Sequence, residues 1–228
     1  GLGDVYKRQA LKNVRVWFTK SGRAKYISHL DLNRVMLRAV HRAKLPIWYT
    51  EGFNRHPFIT FALPLSLGYT GMRESMDMRL LEEDYPSEEI KAAFNRCLPD
   101  GIRVVDITEP KMKPAAIALA DFEIRLSSRL DAEALEAKIQ AFLGKGEILV
   151  EKKTKSGMKQ IDIRPDIKSV EIRREGNSAL LLARLSAGSV KNLNPSLIVK
   201  AMEESFGIAL FYEITRIDIY SESGERFE

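Results

Sequence analysis

One order of secondary-structure signals runs twice along this 228-residue chain, and nothing else in it narrows the fold as much. In the first run, Val14–Thr19 alternates and is rich in β-branched and aromatic residues, which predicts a strand. Lys20-Ser21-Gly22 turns the chain. Ser28, with Asp31 three residues on, opens a helix that reaches about Lys44, where Leu45-Pro46 stops it. Ile47–Thr50 predicts a second strand, followed by a loop-rich stretch from Gly52 to Gly71. Glu74–Leu81 predicts a third strand. Pro86-Ser87 starts a helix that ends near Leu98, and Ile102–Ile107 closes the run as a strand. The order is β-α-β-β-α-β, the ferredoxin-like unit.

The second run starts with a strand at Phe122–Ser127 and a helix at Asp131–Leu143. A strand at Glu147–Thr154 follows, then a basic turn at Lys155–Gln160. Lys168–Arg174 and Ala179–Ser186 predict a hairpin around Gly176-Asn177, with room for an extra strand near Ile161–Ile163. Asn194-Pro195 starts a helix that Gly207 ends, and Leu210–Tyr220 is a long final strand. The expected fold is therefore α+β, a tandem of ferredoxin-like halves with antiparallel sheets. The halves are expected over residues 11–113 and 114–228. Gly1–Gln9 (GLGDVYKRQ) reads as a non-native tail within residues 1–10 and takes no part in the fold reasoning.

Charge is organised in blocks. Lys12–Phe58 carries ten Lys and Arg against two Asp and Glu, a balance of +8. Ile59–Gly144 balances at −5, Lys145–Arg174 at +4 and Glu175–Glu228 at −3. A lopsided basic block favours a polyanionic partner. There is one cysteine, Cys97, which reads as a small hydrophobe on the second helix. A lone thiolate supports neither a disulfide nor a cysteine-ligated zinc or iron–sulfur site. No apolar run approaches the roughly 20 residues that span a bilayer. These features point to a cytoplasmic protein with no membrane partner.

The chemistry-bearing residues gather in the first basic block. All three histidines, His29, His41 and His56, lie there. They lack the spacing of a metal motif, so no metal is expected. At about 100° per residue, Leu32, Val35, Met36, Ala39 and Ala43 share one face of the first helix. Arg34, Arg38 and His41 share the opposite face with Leu30 and Leu37. The segment Tyr49 to Pro57 offers the rings of Tyr49 and Phe53, the Asn54 amide, the Arg55 guanidinium and the His56 imidazole. Such groups stack on and hydrogen-bond unpaired nucleotides. Lys20, Arg23, Tyr26, His29 and Asp31 lead into the same helix and complete the candidate surface. The expectation is that the loop 52–57 and the helix start 28–31 meet, bringing His29 and His56 together.

In the second half, Lys152, Lys153, Lys155 and Lys159 ring Gly157, and Asp162 and Arg164 are expected to alternate outward on a strand. No P-loop, dinucleotide fingerprint or nucleophile elbow is present, so no cofactor is expected.

Together Lys20-Ser21-Gly22, Tyr26 through Leu32, Arg38-Ala39, Leu45-Pro46, Tyr49 through Pro57, Phe61 through Leu65, Gly68 and Ile161 through Pro165 strongly resemble one uncharacterised bacterial family. It is the family known as radical SAM-linked (radical SAM-associated) proteins, a domain of unknown function. Arg55 stands where that family usually has proline, and Phe58 where it has a basic residue. The resemblance implies partnership with a radical SAM protein, encoded nearby or fused. It supplies no catalytic residue. The basic block and the aromatic loop make RNA the candidate substrate, presented by an accessory protein to the radical SAM enzyme. Two alternatives stand beside this. One is a stand-alone RNA-processing or RNA-modifying enzyme, with His29 or His56 as general acid–base and Arg34 or Arg55 on a phosphate. The other is a protein-only scaffold using the exposed leucines.

Overall fold

The computed structural model describes residues 11–154 and 157–228, the side chains of 152–154 excepted. It divides into two compact units. Unit 1 runs to Lys113 and includes Glu228, and unit 2 is Pro114–Phe227. The tail at 1–10 and the lysine at 155 lie outside the described residues, as do the side chains of the lysines at 152 and 153.

Unit 1 contains β1 (Lys12–Lys20), α1 (His29–Arg42), β2 (Ile59–Phe61), β3 (Thr70–Leu80), α2 (Ser87–Cys97) and β4 (Ile102–Thr108). β1 pairs with β3 and with β4, and β2 pairs with the far side of β3, all antiparallel. The order across the sheet is β4-β1-β3-β2. Alternation explains the core: Val14, Val16 and Phe18 of β1 and Met76, Met78 and Leu80 of β3 project to one face. Leu32, Met36, Ala39 and Val40 of α1 and Ile90, Ala93 and Phe94 of α2 cover that face in a single cluster. Cys97 packs against this cluster as a partly buried side chain.

The second strand is not where the sequence suggested. Ile47 and Tyr49 make only isolated bridges, to Leu80 and Pro57, and the strand that joins the sheet is β2. The β-forming residues at 47–49 are used for packing instead. Ile47 enters the core, the Trp48 N–H reaches the Arg79 carbonyl at 2.8 Å, and the chain then turns away to pair with its own return.

Unit 2 contains β5 (Ile117–Ser127), α3 (Ala132–Leu143), β6 (Leu149–Thr154), β7 (Gly157–Asp162), β8 (Ile167–Glu175), β9 (Ser178–Ser186), α4 (Pro195–Phe206) and β10 (Phe211–Ser221). β10, β5, β9 and β8 form an antiparallel sheet in that order. Leaving β6 and β7 aside, this is the strand order of unit 1. Local chemistry sets the helix ends. The Asp131 carboxylate accepts the Ala134 N–H at 2.8 Å, and the Asn194 side chain accepts that of Ser196 at 3.1 Å ahead of Pro195. Gly207 ends α4 at φ +67°, a conformation that favours glycine.

The segment expected to be the second strand of this half leaves the main sheet. β6 pairs with β7 as a separate hairpin, and β8 takes the place beside β9. The basic turn expected at 155–160 is strand from Gly157 onward, and the extra strand expected near Ile161–Ile163 is the end of β7.

Candidate functional site

The start of α1 is built from short-range bonds. Ser28 Oγ accepts the Asp31 N–H at 3.1 Å and donates to Asp31 Oδ2 at 2.8 Å. Arg34 Nη1 donates to Asp31 Oδ1 at 2.9 Å. The Ser28 bond first, then the Arg34 bond, holds the Asp31 carboxyl below its ordinary range. Lys20 is not on the surface. It is fully buried, and its ammonium donates to the Ile27 carbonyl at 2.5 Å, which fixes the turn into the helix. Arg23 and Tyr26, on the 3-10 turn Gly22–Tyr26, are exposed, and the Lys25 ammonium lies 5.3 Å from the Tyr26 ring centre.

His29 faces inward rather than outward. Its ring meets Phe61 edge to face at 5.0 Å, and its Nδ1 is buried without a hydrogen-bond partner among the described residues. Burial first, and the nearby Lys20 charge second, lower its pKa, so the imidazole is neutral at pH 7.

The outer face of α1 carries exposed Leu30, Arg34, Arg38, His41 and Arg42, with Leu37 half-buried among them. Arg34, Arg38 and Arg42 follow at intervals of four, so they form a row with about 6 Å of rise between neighbours.

The loop between Tyr49 and Pro57 is a closed structure. Tyr49 bridges Pro57, the Thr50 N–H reaches the His56 carbonyl at 2.9 Å, and the Phe58 N–H reaches the Trp48 carbonyl at 3.0 Å. His56 Nδ1 lies 3.0 Å from the Asn54 carbonyl and 3.2 Å from Thr50 Oγ1. Phe53, Asn54, Arg55 and His56 are all exposed at the tip. Below them sits a clamp that sequence reasoning missed. The Arg79 guanidinium lies 4.9 Å from the ring centres of both Trp48 and Phe58, and its Nε donates to Asn13 Oδ1 at 2.8 Å. The two aromatics that bracket the loop are thereby held on β3. The bracketing pair is visible in the sequence, but the arginine that joins it is some twenty residues downstream and gives no local signal.

The loop and the start of α1 do not meet. Tyr49 Oη lies 3.5 Å from His41 Nδ1, which places the loop at the C-terminal end of the helix. His29 and His41 are about 18 Å apart along the axis at 1.5 Å per residue. The reason is chain order. The loop follows directly from the end of α1, and β2 then runs back toward the helix start, bringing Phe61 to His29. His29 and His56 therefore belong to opposite ends of one face.

Three of the ten cations in the basic block serve the fold. Arg15 is buried and grips both oxygens of Asp77 at 2.6 and 2.7 Å, Lys20 is buried, and Lys12 donates to the Tyr85 carbonyl at 2.9 Å. Arg23, Arg34, Arg38, Arg42, Lys44 and Arg55 are exposed, so most of the excess charge is displayed by α1 and its flanks.

In unit 2, Asp162 and Arg164 do not alternate outward. Asp162 Oδ1 accepts the backbone N–H groups of Ile148 and Arg164, each at 2.9 Å. Arg164 opens a 3-10 turn and donates to the Lys145 and Ile167 carbonyls at 3.3 and 3.2 Å. Both staple the end of β7 to its surroundings. Among the described residues no group of three or more His, Cys, Asp or Glu could hold a metal ion, and no helix is long and apolar enough to cross a membrane.

A family model described as "Uncharacterized protein conserved in bacteria (DUF2344)" matches residues 13–195. No curated protein matches the chain. Among solved structures, a Cbf5–Nop10–Gar1 complex is similar at TM-score 0.47 and 12% identity, over 84% of this chain and 46% of that one. An H/ACA RNP bound to a substrate RNA containing 2′-deoxyuridine is similar at TM-score 0.44 and 11% identity, over 85% and 44%. The chain thus spans less than half the length of these solved chains. At such scores the likeness carries no inference about this protein.

Proposed function

We propose, for a chain that belongs to the conserved and uncharacterised bacterial family DUF2344, that unit 1 binds a single-stranded segment of RNA and presents it to a radical SAM enzyme. The observation that carries the RNA half is the exposed Phe53-Asn54-Arg55-His56 tip, clamped at its base and standing beside the arginine row of α1. Arginines at one-turn spacing suit successive phosphates, and a planar guanidinium pairs with a phosphate through two parallel bonds. Phe53 and Tyr49 offer stacking faces for unpaired bases, a contact worth about 1–3 kcal/mol per base. The Asn54 amide and the His56 ring can hydrogen-bond a base edge. A sheet-backed loop with its base fixed gives up little entropy on binding.

The enzyme half rests on the family resemblance and on cysteine arithmetic. Iron–sulfur clusters take several thiolates, and these 228 residues contain one cysteine. On this proposal the radical chemistry lies outside these 228 residues. A stand-alone acid–base enzyme is less well supported, because His29 stands at the other end of α1 from His56 and Arg55.

Co-purification tests both halves. The tagged full chain should bring down the radical SAM protein encoded beside or fused to it, together with RNA. RNase treatment should remove the RNA and leave the protein pair intact. A preparation free of RNA before any RNase refutes the RNA half, and loss of the enzyme from every preparation refutes the partnership.

A further inference from the structure

The two ends of the α1 face differ in chemistry, and we propose that the N-terminal end docks protein. There Tyr26, Leu30 and Leu67 form an apolar patch beside Arg23 and Lys25, which receives an apolar, acid-rimmed surface of the enzyme partner. The proposal deepens the function above and rests on its partnership.

The patch consists of large side chains left in water: Tyr26 is 66% exposed, Leu30 70% and Leu67 61%. Leu30 stands on the side of α1 away from Leu32 and Met36, which are buried in the core. The three belong to one neighbourhood. Tyr26 and Leu30 flank the cap of α1. Leu67 precedes Gly68, whose N–H donates to the Lys25 carbonyl at 2.8 Å. The supporting backbone is tied down as well. Lys20 holds the Ile27 carbonyl, the Ala24 N–H reaches the Ser21 carbonyl at 3.0 Å, and Leu65, two residues before Leu67, is buried. A patch held in place this way loses little freedom when it is covered.

Aliphatic side chains separate the two classes of partner. A nucleic acid is gripped by cations at its phosphates and by aromatic planes at its bases; Tyr26 is such a plane, but Leu30 and Leu67 supply neither. Buried interface centres between proteins, by contrast, are apolar with a polar rim. The rim here is cationic. The nearby Asp31 carboxylate is engaged by Ser28 and paired with Arg34, so the excess positive charge comes from Arg23 and Lys25. Charge complementarity therefore selects a partner surface whose apolar centre is bordered by Asp and Glu, and speeds the encounter with it. The C-terminal end of the face, with Phe53, Arg55 and His56, has rings and hydrogen-bonding groups but no exposed aliphatic residue.

The test uses the full chain and a double variant, Leu30→Gln with Leu67→Gln, which keeps side-chain length at two exposed positions. Each protein is titrated against the purified radical SAM enzyme and, separately, against labelled single-stranded RNA. The expected result is at least about tenfold weaker binding to the enzyme, as for loss of interface anchors, with RNA affinity unchanged within about twofold. Equal binding of wild type and variant to the enzyme overturns the patch and leaves the partnership standing. No binding of wild type to the enzyme overturns both. A loss of RNA affinity in the variant assigns the patch to RNA and overturns the proposal.

Discussion

Unit 1 and unit 2 share a strand order but use their arginines differently. In unit 2 they are largely spent on ion pairs. Arg184 grips both oxygens of Asp121 at 2.7 and 2.8 Å, Arg226 meets Asp218 at 2.6 Å, Arg173 meets Glu171 at 2.7 Å, Arg174 meets Glu136 at 2.8 Å, and Arg125 pairs with Glu175. The helices α3 and α4 carry charges of both signs. In unit 1, Arg23, Arg38, Arg42 and Arg55 are exposed and make no ion pair among the described residues. The same architecture thus supports a self-neutralised surface in one unit and an unneutralised one in the other. The exposed pairs, Arg173–Glu171 and Arg125–Glu175, contribute little stability, so folding does not dictate them. The difference lies in what each surface can attract.

The largest expected effect breaks this contrast directly. Replacing Arg38→Ala with Arg42→Ala should lower RNA affinity by about tenfold or more at low salt and reduce the log–log salt slope by about 1.4, at about 0.7 per lost phosphate contact on a single strand. The matched change in unit 2, Lys191→Ala with Lys200→Ala, removes two exposed cations and should leave affinity and slope unchanged. Fluorescence anisotropy at several salt concentrations reads both. Equal losses in the two variants would mean that net charge, not the α1 face, governs binding.

A smaller effect should follow from Arg79→Lys. Lysine keeps the charge but lacks the planar guanidinium that lies against both the Trp48 and the Phe58 ring. Loosening the loop base should weaken RNA binding about threefold to tenfold, with little change in salt slope because no phosphate contact is lost. A variant with a full loss of slope would make Arg79 a phosphate ligand instead of a clamp.

The smallest effect concerns pH. The folded His29 has a pKa below its ordinary value, so the unfolded chain binds the proton more readily. Its contribution to stability is therefore fully present above about pH 6.5 and is lost as pH falls through the lowered value. His29→Gln should flatten that part of the stability–pH curve measured by denaturant melts between pH 7.5 and 5. An identical slope in wild type and variant would place the titration elsewhere.

What the sequence disclosed depended on range. Helix starts were legible because caps act over two or three residues: Ser28 with Asp31, Asp131 with Ala134, and Asn194 ahead of Pro195. Element order was legible for the same reason. Strand partnership was not. Ile47–Thr50 has the composition of a strand yet meets β3 only through the isolated Ile47–Leu80 bridge, and Leu149–Thr154 is a strand that pairs only with its own hairpin. β-propensity reports a half-buried extended segment, without naming its neighbour. The candidate site was legible as a list of residues and not as a map. Lys20 reads as a surface cation until the Ile27 carbonyl is seen above it, and His29 and His56 read as a pair until α1 is given its length. Asp162 and Arg164 read as a displayed pair, but their bonds go to backbone groups of the same unit.

The central claim, that RNA lies along α1 and the loop of unit 1, is tested most directly by photocrosslinking. A single-stranded RNA carrying 4-thiouridine, irradiated on the full chain and mapped by mass spectrometry, should attach within residues 34–56, with Tyr49 and Phe53 foremost. Crosslinks confined to residues 114–227, or none above a protein control of equal net charge, would contradict it.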